Sequence, residues 1–131
     1  MIGVDTNVLL RHILQDDPVQ SPAASAFFAG RTSDDPVYVG RVVLVEALWS
    51  LRRWHGSDRS ALVKMVRLLM SSNEAILEDR VSIHRALRDA EEADADLVDA
   101  IIAHAAIDAG AVGAVTFDKR AQRLPGMLPV V

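Results

Sequence analysis

Four acidic residues stand alone inside apolar stretches of this 131-residue chain. They are Asp5, Glu46, Asp99 and Asp118. A carboxylate that is removed from water costs several kcal/mol unless a cation, hydrogen-bond donors or a proton compensates it. We therefore expect the four carboxylates to converge in the fold and to share bound metal.

The ligand set predicts which metal this would be. Carboxylate oxygens suit Mg²⁺ or Mn²⁺ better than zinc or copper, and the chain has no cysteine. Its four histidines show no metal-site spacing, and His104, in an apolar segment, is expected to be a core histidine. Two such ions roughly 3.5–4 Å apart could activate a water and stabilise a leaving oxygen. The chemistry implied is hydrolysis of a phosphodiester.

Some of the acids also have a structural interpretation. Asp5 closes a predicted strand, where it could serve as a turn or cap residue. Asp94 and Asp96 are better explained as an N-cap and a first-turn acid, although Asp96 precedes Asp99 by three residues and could supply an outer ligand. Glu46 and Asp99 resist such explanations, because their helices are apolar nearly all round and are expected to be buried.

Hydroxyl and basic residues adjoin the acids. Thr6 and Thr116 could hold a water or orient a carboxylate, although both positions also suit their local structure. Arg11, Lys119 and Arg120 could grip neighbouring phosphates of a polynucleotide. Charged residues at helix ends are more often a solvated face.

The hydrophobic pattern predicts strands that alternate with helices. The expected strands are 2–5, 37–40, 75–78, 111–117 and 127–131, and the expected helices are 6–14, 17–29, 41–55, 58–71, 79–92 and 94–109. Strands separated by helices predict an α/β fold with a mainly parallel sheet and helices on both faces. Ligands bind outside the carboxyl ends of such strands, where Asp5 and Asp118 fall. The length predicts one domain over residues 1–131.

Composition excludes several classes of protein. The formal net charge of −4 argues against binding nucleic acid by bulk positive field, although bound divalent ions would invert the local sign. Charged residues interrupt every apolar run, so no membrane helix is expected. The opening residues lack a signal-peptide pattern, and we expect a cytoplasmic protein. The glycine motifs of nucleotide-binding and serine-hydrolase sites are absent.

Four segments, in order, resemble the PIN-domain ribonucleases, specifically the VapC-type toxins of bacterial toxin–antitoxin pairs. They are residues 4–10 (VDTNVLL), 43–49 (VLVEALW), 96–103 (DLVDAIIA) and 115–118 (VTFD). The resemblance spans nearly the whole chain. The chain differs from many relatives at Gly40-Arg41, where they carry a hydroxyl residue before the Glu-bearing helix.

The resemblance implies a PIN-like three-layer α/β/α sandwich and an Mg²⁺- or Mn²⁺-dependent endoribonuclease that acts as a toxin. It also implies an RNA substrate, a VapB-like antitoxin that blocks the active-site groove, and a homodimer. The residues that match the family's acidic quartet are Asp5, Glu46, Asp99 and Asp118. Asp96 matches a position that is acidic in many members, and Thr6 and Thr116 match its hydroxyl positions.

Two other functions compete with this one. A phosphoacceptor receiver module has a similar length and sheet type, and Glu78-Asp79 with Lys119 would supply its acids and lysine. That interpretation leaves Glu46 and Asp99 unexplained. A catalytically inactive PIN-like adaptor, whose groove only docks another protein, is the second alternative.

Overall fold

The computed structural model describes all 131 residues. Five short strands alternate with six α-helices, and a single 3-10 turn, Ala121–Arg123, precedes the last strand. The strands are β1 (Ile2–Gly3), β2 (Val37–Val39), β3 (Ala75–Leu77), β4 (Ala114–Thr116) and β5 (Met127–Pro129). The helices are α1 (Thr6–Leu14), α2 (Gln20–Ala29), α3 (Arg41–His55), α4 (Arg59–Ser71), α5 (Arg80–Ala93) and α6 (Leu97–Asp108). No helix is long and apolar enough to cross a membrane.

The strands pair only in parallel. One sheet has the order β1-β2-β3, with Ile2 beside Val37 and Val37 beside Ala75. The second sheet consists of β4 and β5, with Ala114 beside Met127. Parallel neighbours require crossover connections. α-Helices supply them in the first sheet, and a segment with the 3-10 turn connects β4 to β5. The predicted α/β class and parallel pairing are confirmed.

The helix boundaries follow from capping. Helices α1 and α3 have the predicted bounds, whereas α2 begins only at Gln20, after a turn in which Asp17 Oδ1 accepts hydrogen bonds from the N–H groups of Val19 and Gln20. The prediction that Asp94 caps α6 was wrong. Asp96 is the N-cap, and Asp94 instead ends α5 in the left-handed conformation at φ 49°. Asp tolerates that conformation better than most residues.

The chain divides into two compact units. The first comprises Met1–Gly56 with Met65–Glu78, and the second comprises Ser57–Lys64 with Asp79–Val131, so α4 contributes residues to both. The core of the first unit contains the fully buried side chains Leu9, Val37, Val39, Leu44 and Leu48. The expectation of one domain over residues 1–131 stays a prediction.

In the second unit α5 packs against α6, and Ile83, Leu87 and Leu97 are fully buried. His104 Nε2 lies 2.6 Å from Asp89 Oδ2, and about a tenth of each side chain is exposed, at 12% and 11%. The pair joins the two helices. His104 is therefore a satisfied core histidine, as the sequence predicts.

Candidate active site

Asp5 caps the helix that follows β1. Its backbone is extended, and Oδ1 accepts a hydrogen bond of 3.0 Å from the Val8 N–H. The side chain is exposed, and Oδ2 has no partner in the protein. Thr6, the first residue of α1, makes no side-chain hydrogen bond. The cap fixes one oxygen of Asp5 and leaves the other available to a cation.

Glu46 lies in the middle of α3 and makes no hydrogen bond or ion pair. It lines a shallow depression of about 450 Å³ together with Val42, Val45 and Trp49. Val42 is 80% exposed and Trp49 is 52% exposed. An exposed acid among exposed apolar side chains has no role in capping or in the core.

The Asp99 region is organised by the preceding acid. Asp96 Oδ1 accepts a hydrogen bond of 3.1 Å from the Asp99 N–H, so Asp96 caps the first turn of α6, in which Asp99 lies. Asp99 itself is half-buried. Asp96, which the sequence suggests as an outer ligand, therefore also has a structural role as the N-cap of α6. Its hydrogen bond holds the backbone that carries Asp99.

Asp118 closes a tight turn after β4. Its Oδ1 accepts hydrogen bonds from the N–H groups of Arg120 at 2.8 Å and Ala121 at 3.2 Å. Thr116 Oγ1 accepts one of 3.0 Å from the Asp118 N–H, and the Thr116 carbonyl accepts another from Gln122. Oδ2 of Asp118 has no partner in the protein. The Thr116 hydroxyl thus orients the backbone of Asp118 and does not touch its carboxylate.

The prediction that Glu46 and Asp99 lie on buried helices was wrong. Glu46 is exposed and Asp99 is half-buried, because α3 and α6 each bury one face and leave apolar residues such as Trp49 and Ile102 at the surface. Apolar composition alone does not distinguish a buried helix from one with an apolar outer face. Desolvation therefore does not explain these acids.

The four carboxylates are divided equally between the units. Asp5 and Glu46 belong to the first unit, and Asp99 and Asp118 belong to the second. Within neither unit do three or more His, Asp or Glu side chains form a group that could hold a metal ion. Convergence of all four depends on the arrangement of the two units and stays a prediction.

The donor chemistry of the four residues fits Mg²⁺ or Mn²⁺. Every candidate donor is a carboxylate oxygen, which these hard cations prefer. Asp5 and Asp118 each use a single oxygen in a cap, and Glu46 uses neither oxygen within the protein. Three of the four residues therefore keep at least one oxygen that can bind a cation without breaking a contact of the fold.

The predicted phosphate-binding cations differ in what they contact. Arg11 Nη1 donates to both oxygens of Asp16, at 2.8 and 3.0 Å. Arg120 donates through Nε to the Asp94 carbonyl, and its Nη2 lies 3.4 Å from Asp94 Oδ2. Lys119 is exposed and has no partner in the protein. Of the three cations, Lys119 can turn to a bound anion without giving up an ion pair.

Asp94 accepts hydrogen bonds from three arginines, a role that the sequence interpretation did not predict. Its carboxylate accepts a hydrogen bond of 3.0 Å from Arg59, and its carbonyl accepts hydrogen bonds from Arg120 and Arg123. The Arg59 hydrogen bond and then the Arg120 charge hold the pKa of Asp94 below its ordinary value of 3.8. These contacts tie the turn after Asp118 to the start of the α5–α6 connection.

Glu78 fixes the start of the Glu46 helix. The N-cap of α3 is Gly40, which has no side chain to cap the helix. Glu78 Oε1 instead accepts hydrogen bonds from the Tyr38 hydroxyl at 2.9 Å and from the Arg41 N–H at 3.3 Å. These donors, Tyr38 first, hold the pKa of Glu78 below its ordinary value of 4.5. Glu78 thus supplies, from outside the helix, the acceptor for a first-turn N–H group that Gly40 cannot supply.

This arrangement predicts a pH-dependent effect of Tyr38→Phe. A lowered pKa in the folded state adds stability that is fully present above pH 4.5 and is lost as the pH falls through the folded pKa. We expect the variant to lose about 1 kcal/mol of unfolding free energy at pH 7. The loss should shrink as the pH falls below 4.5 and through the lowered pKa of Glu78. Urea unfolding of both proteins from pH 3 to pH 7 measures it, and a constant difference would contradict the role of Glu78.

A pocket of about 400 Å³ opens beside Asp5, and we call it the Asp5 pocket. The residues that line it include Asp5, Asn7, Gln20, Ala24 and Phe27. It lies between α1 and α2, which are joined by ring stacking of His12 on Phe28, with ring centroids 4.3 Å apart. Asn7 and Gln20 were not singled out from the sequence. Asn7 lies two residues after the first acid, which is a usable signal, whereas nothing in the sequence indicates Gln20.

Comparisons with known proteins give one family match. The family model described as PIN domain matches residues 2–127. Among solved structures, the chain is similar to the crystal structure of Mycobacterium tuberculosis VapC20, described as a Sarcin-Ricin loop cleaving toxin. The identity is 22%, the TM-score is 0.47, and the match covers 93% of each chain. No curated protein shows significant similarity to the chain.

Proposed function

Because the chain belongs to the PIN-domain family, we propose that it is a metal-dependent endoribonuclease and the VapC-type toxin of a toxin–antitoxin pair. The observation that carries the proposal is the family match over residues 2–127, a range that includes all four acids of the quartet. The reaction is hydrolysis of an RNA phosphodiester. The substrate we expect is an unpaired loop of a structured RNA, because specific readers of RNA mostly target such loops.

The quartet supplies the metal ligands in this proposal. Asp5, Glu46, Asp99 and Asp118 would hold Mg²⁺ or Mn²⁺, which when bound activates the attacking water and stabilises the leaving oxygen. The assignment of Mg²⁺ or Mn²⁺ is supported by the ligand chemistry, because all four residues offer only carboxylate oxygens.

The chain's own residues orient these ligands. The caps made by Asp5 and Asp118 fix one carboxylate oxygen each, so the direction of the other oxygen is set by the backbone. Thr116 holds the backbone of Asp118, and Asp96 holds that of Asp99. A pre-set ligand direction lowers the cost of ordering the side chains when a cation binds. Lys119 is available to a phosphate next to the one that is cleaved.

The remaining proposals concern partners. An exposed apolar surface beside a functional residue is typical of a surface that another protein covers, and Val42 and Trp49 form such a surface beside Glu46. We propose that a VapB-like antitoxin covers this face and blocks access to Glu46. We also propose that the toxin is a homodimer that acts in the cytoplasm.

The receiver alternative is not retained. Glu78, one of its acids, accepts hydrogen bonds from Tyr38 and Arg41, and the family match assigns the chain to another family. The inactive adaptor remains as an outcome of the experiment that follows.

The experiment is incubation of the purified protein with a panel of structured RNAs, with Mn²⁺ or Mg²⁺ and with EDTA. We expect cleavage only when a divalent metal is present, and loss of cleavage in Glu46→Gln. Glu46 makes no contact within the protein, so this variant should fold normally. Glu92→Gln, on the exposed surface of α5, is the matched control and should stay active. Absence of cleavage of every RNA by folded, metal-loaded protein would favour the adaptor.

A further inference from the structure

The Asp5 pocket contains two amide groups whose orientation is set by a neighbouring arginine. Arg11 Nε can only donate a hydrogen bond, and its partner at 3.0 Å is Gln20 Oε1. The Gln20 oxygen must therefore face Arg11. Asn7 Nδ2 donates to the same oxygen at 3.3 Å, which fixes the Asn7 amide as well.

This orientation leaves one donor group and one acceptor available to a ligand. Gln20 Nε2 and Asn7 Oδ1 have no partner in the protein, and both residues line the pocket. Arg11, which also lines it, is neutralised by the two hydrogen bonds to Asp16. The polar side of the pocket thus offers an uncharged donor beside an uncharged acceptor.

The rest of the pocket is mostly apolar and includes an aromatic ring. Ala24 is buried beneath it, and Phe27 is half-buried at its wall. Two neighbours hold the Phe27 ring in place: the Arg31 guanidinium lies 4.9 Å from its centroid, and Phe28 packs edge-on against it with centroids 5.5 Å apart. A volume of about 400 Å³ falls within the range of small-ligand sites.

We propose that the Asp5 pocket binds one unpaired nucleobase of the RNA, next to the phosphodiester that is cleaved. The inference rests on the proposed function. A base combines a flat apolar ring with neighbouring donor and acceptor atoms on its edge, and proteins read unpaired bases by stacking on aromatic rings and by amide hydrogen bonds. An acidic side chain of a protein partner would find no unpaired basic group in this pocket, because Arg11 is paired with Asp16.

Gln20→Glu is the sharpest test of the proposal. The substitution keeps an oxygen for Arg11 and Asn7, but it replaces the free donor with an acceptor. We expect KM for a cleaved RNA to rise about tenfold, with kcat changed less, because the lost contact is with a bound base and not with the reacting atoms. Ala26→Glu adds the same charge on the exposed side of α2 and is the matched control, with KM unchanged.

An abasic scan of the same RNA identifies the base. Removal of one base beside the cut should raise KM about tenfold for the wild type and have little further effect in Gln20→Glu. If removal of every base has the same effect in both proteins, the pocket does not bind a base.

A second readout separates failure of this inference from failure of the proposed function. Nucleoside 5′-monophosphates added without metal should shift the side-chain amide NMR signals of Gln20 and Asn7 in the wild type, and inorganic phosphate should not. Such shifts would support the inference even if no RNA were cleaved. Cleavage of RNA with unshifted amide signals and an unchanged KM in Gln20→Glu would overturn it. Shifts produced only by an antitoxin-derived peptide would also overturn it and assign the pocket to a protein.

Discussion

Asp5→Asn is expected to reduce metal-dependent RNA cleavage at least about 1000-fold while it leaves the fold intact. The carboxylate is proposed to hold a cation that stabilises developing charge by several kcal/mol, and each 1.36 kcal/mol is tenfold in rate. Asn caps a helix about as well as Asp, so the hydrogen bond to the Val8 N–H survives. The unfolding free energy should therefore change by less than about 1 kcal/mol.

Asp5→Ala is the matched comparison. It removes both the ligand and the cap, so it should lose activity equally and should also lose about 1 kcal/mol of stability. Cleavage rates under single-turnover conditions and urea unfolding measure the two effects. If Asp5→Asn cleaves RNA at a rate close to the wild type, Asp5 is only a cap residue.

Replacing His104 with Leu is expected to cost about 3 kcal/mol of unfolding free energy. Asp89 and His104 form a largely buried pair 2.6 Å apart that joins α5 to α6. When His104 is replaced, the Asp89 carboxylate stays in the interior and loses this partner. The free-energy cost of a buried carboxylate without its partner exceeds the net contribution of the intact pair. Chemical denaturation at pH 7 measures the loss.

The double variant Asp89→Leu with His104→Leu tests the explanation. Removing both partners leaves no uncompensated carboxylate, so the double variant should be more stable than His104→Leu alone by at least about 1 kcal/mol. Additive losses would show that the two residues contribute by packing and not by pairing.

The fold was largely predictable because its signals are local. All five strands lie inside short apolar runs, and α1 and α3 have the predicted bounds. The family match over residues 2–127 also confirms the predicted PIN-like fold class. The error at the start of α6 arose because two residues could have capped the helix. Near α6 two acids could act as N-cap, and the left-handed backbone of Asp94 gave the role to Asp96, which periodicity does not reveal.

For the site, the sequence supplied a hypothesis about its chemistry, but one physical reason given for that hypothesis was wrong. Single acids in apolar runs identified the candidate ligands, but the reason given for them, burial, does not hold for Glu46, which is exposed. Sequence alone also gives no access to contacts between distant residues. Glu78 below α3, Asp94 beside Arg120, and Gln20 beside Asn7 are each set by tertiary structure.

The central claim is that four acids share one metal site, and a titration with Mn²⁺ followed in the ¹⁵N NMR spectrum tests it most directly. Paramagnetic Mn²⁺ broadens signals from nearby nuclei only. We expect substoichiometric Mn²⁺ to broaden the amide signals of Asp5, Glu46, Asp99 and Asp118 together, and Asp5→Asn to weaken the broadening at the other three. Broadening confined to one unit, or absent at all four residues, would contradict the shared site.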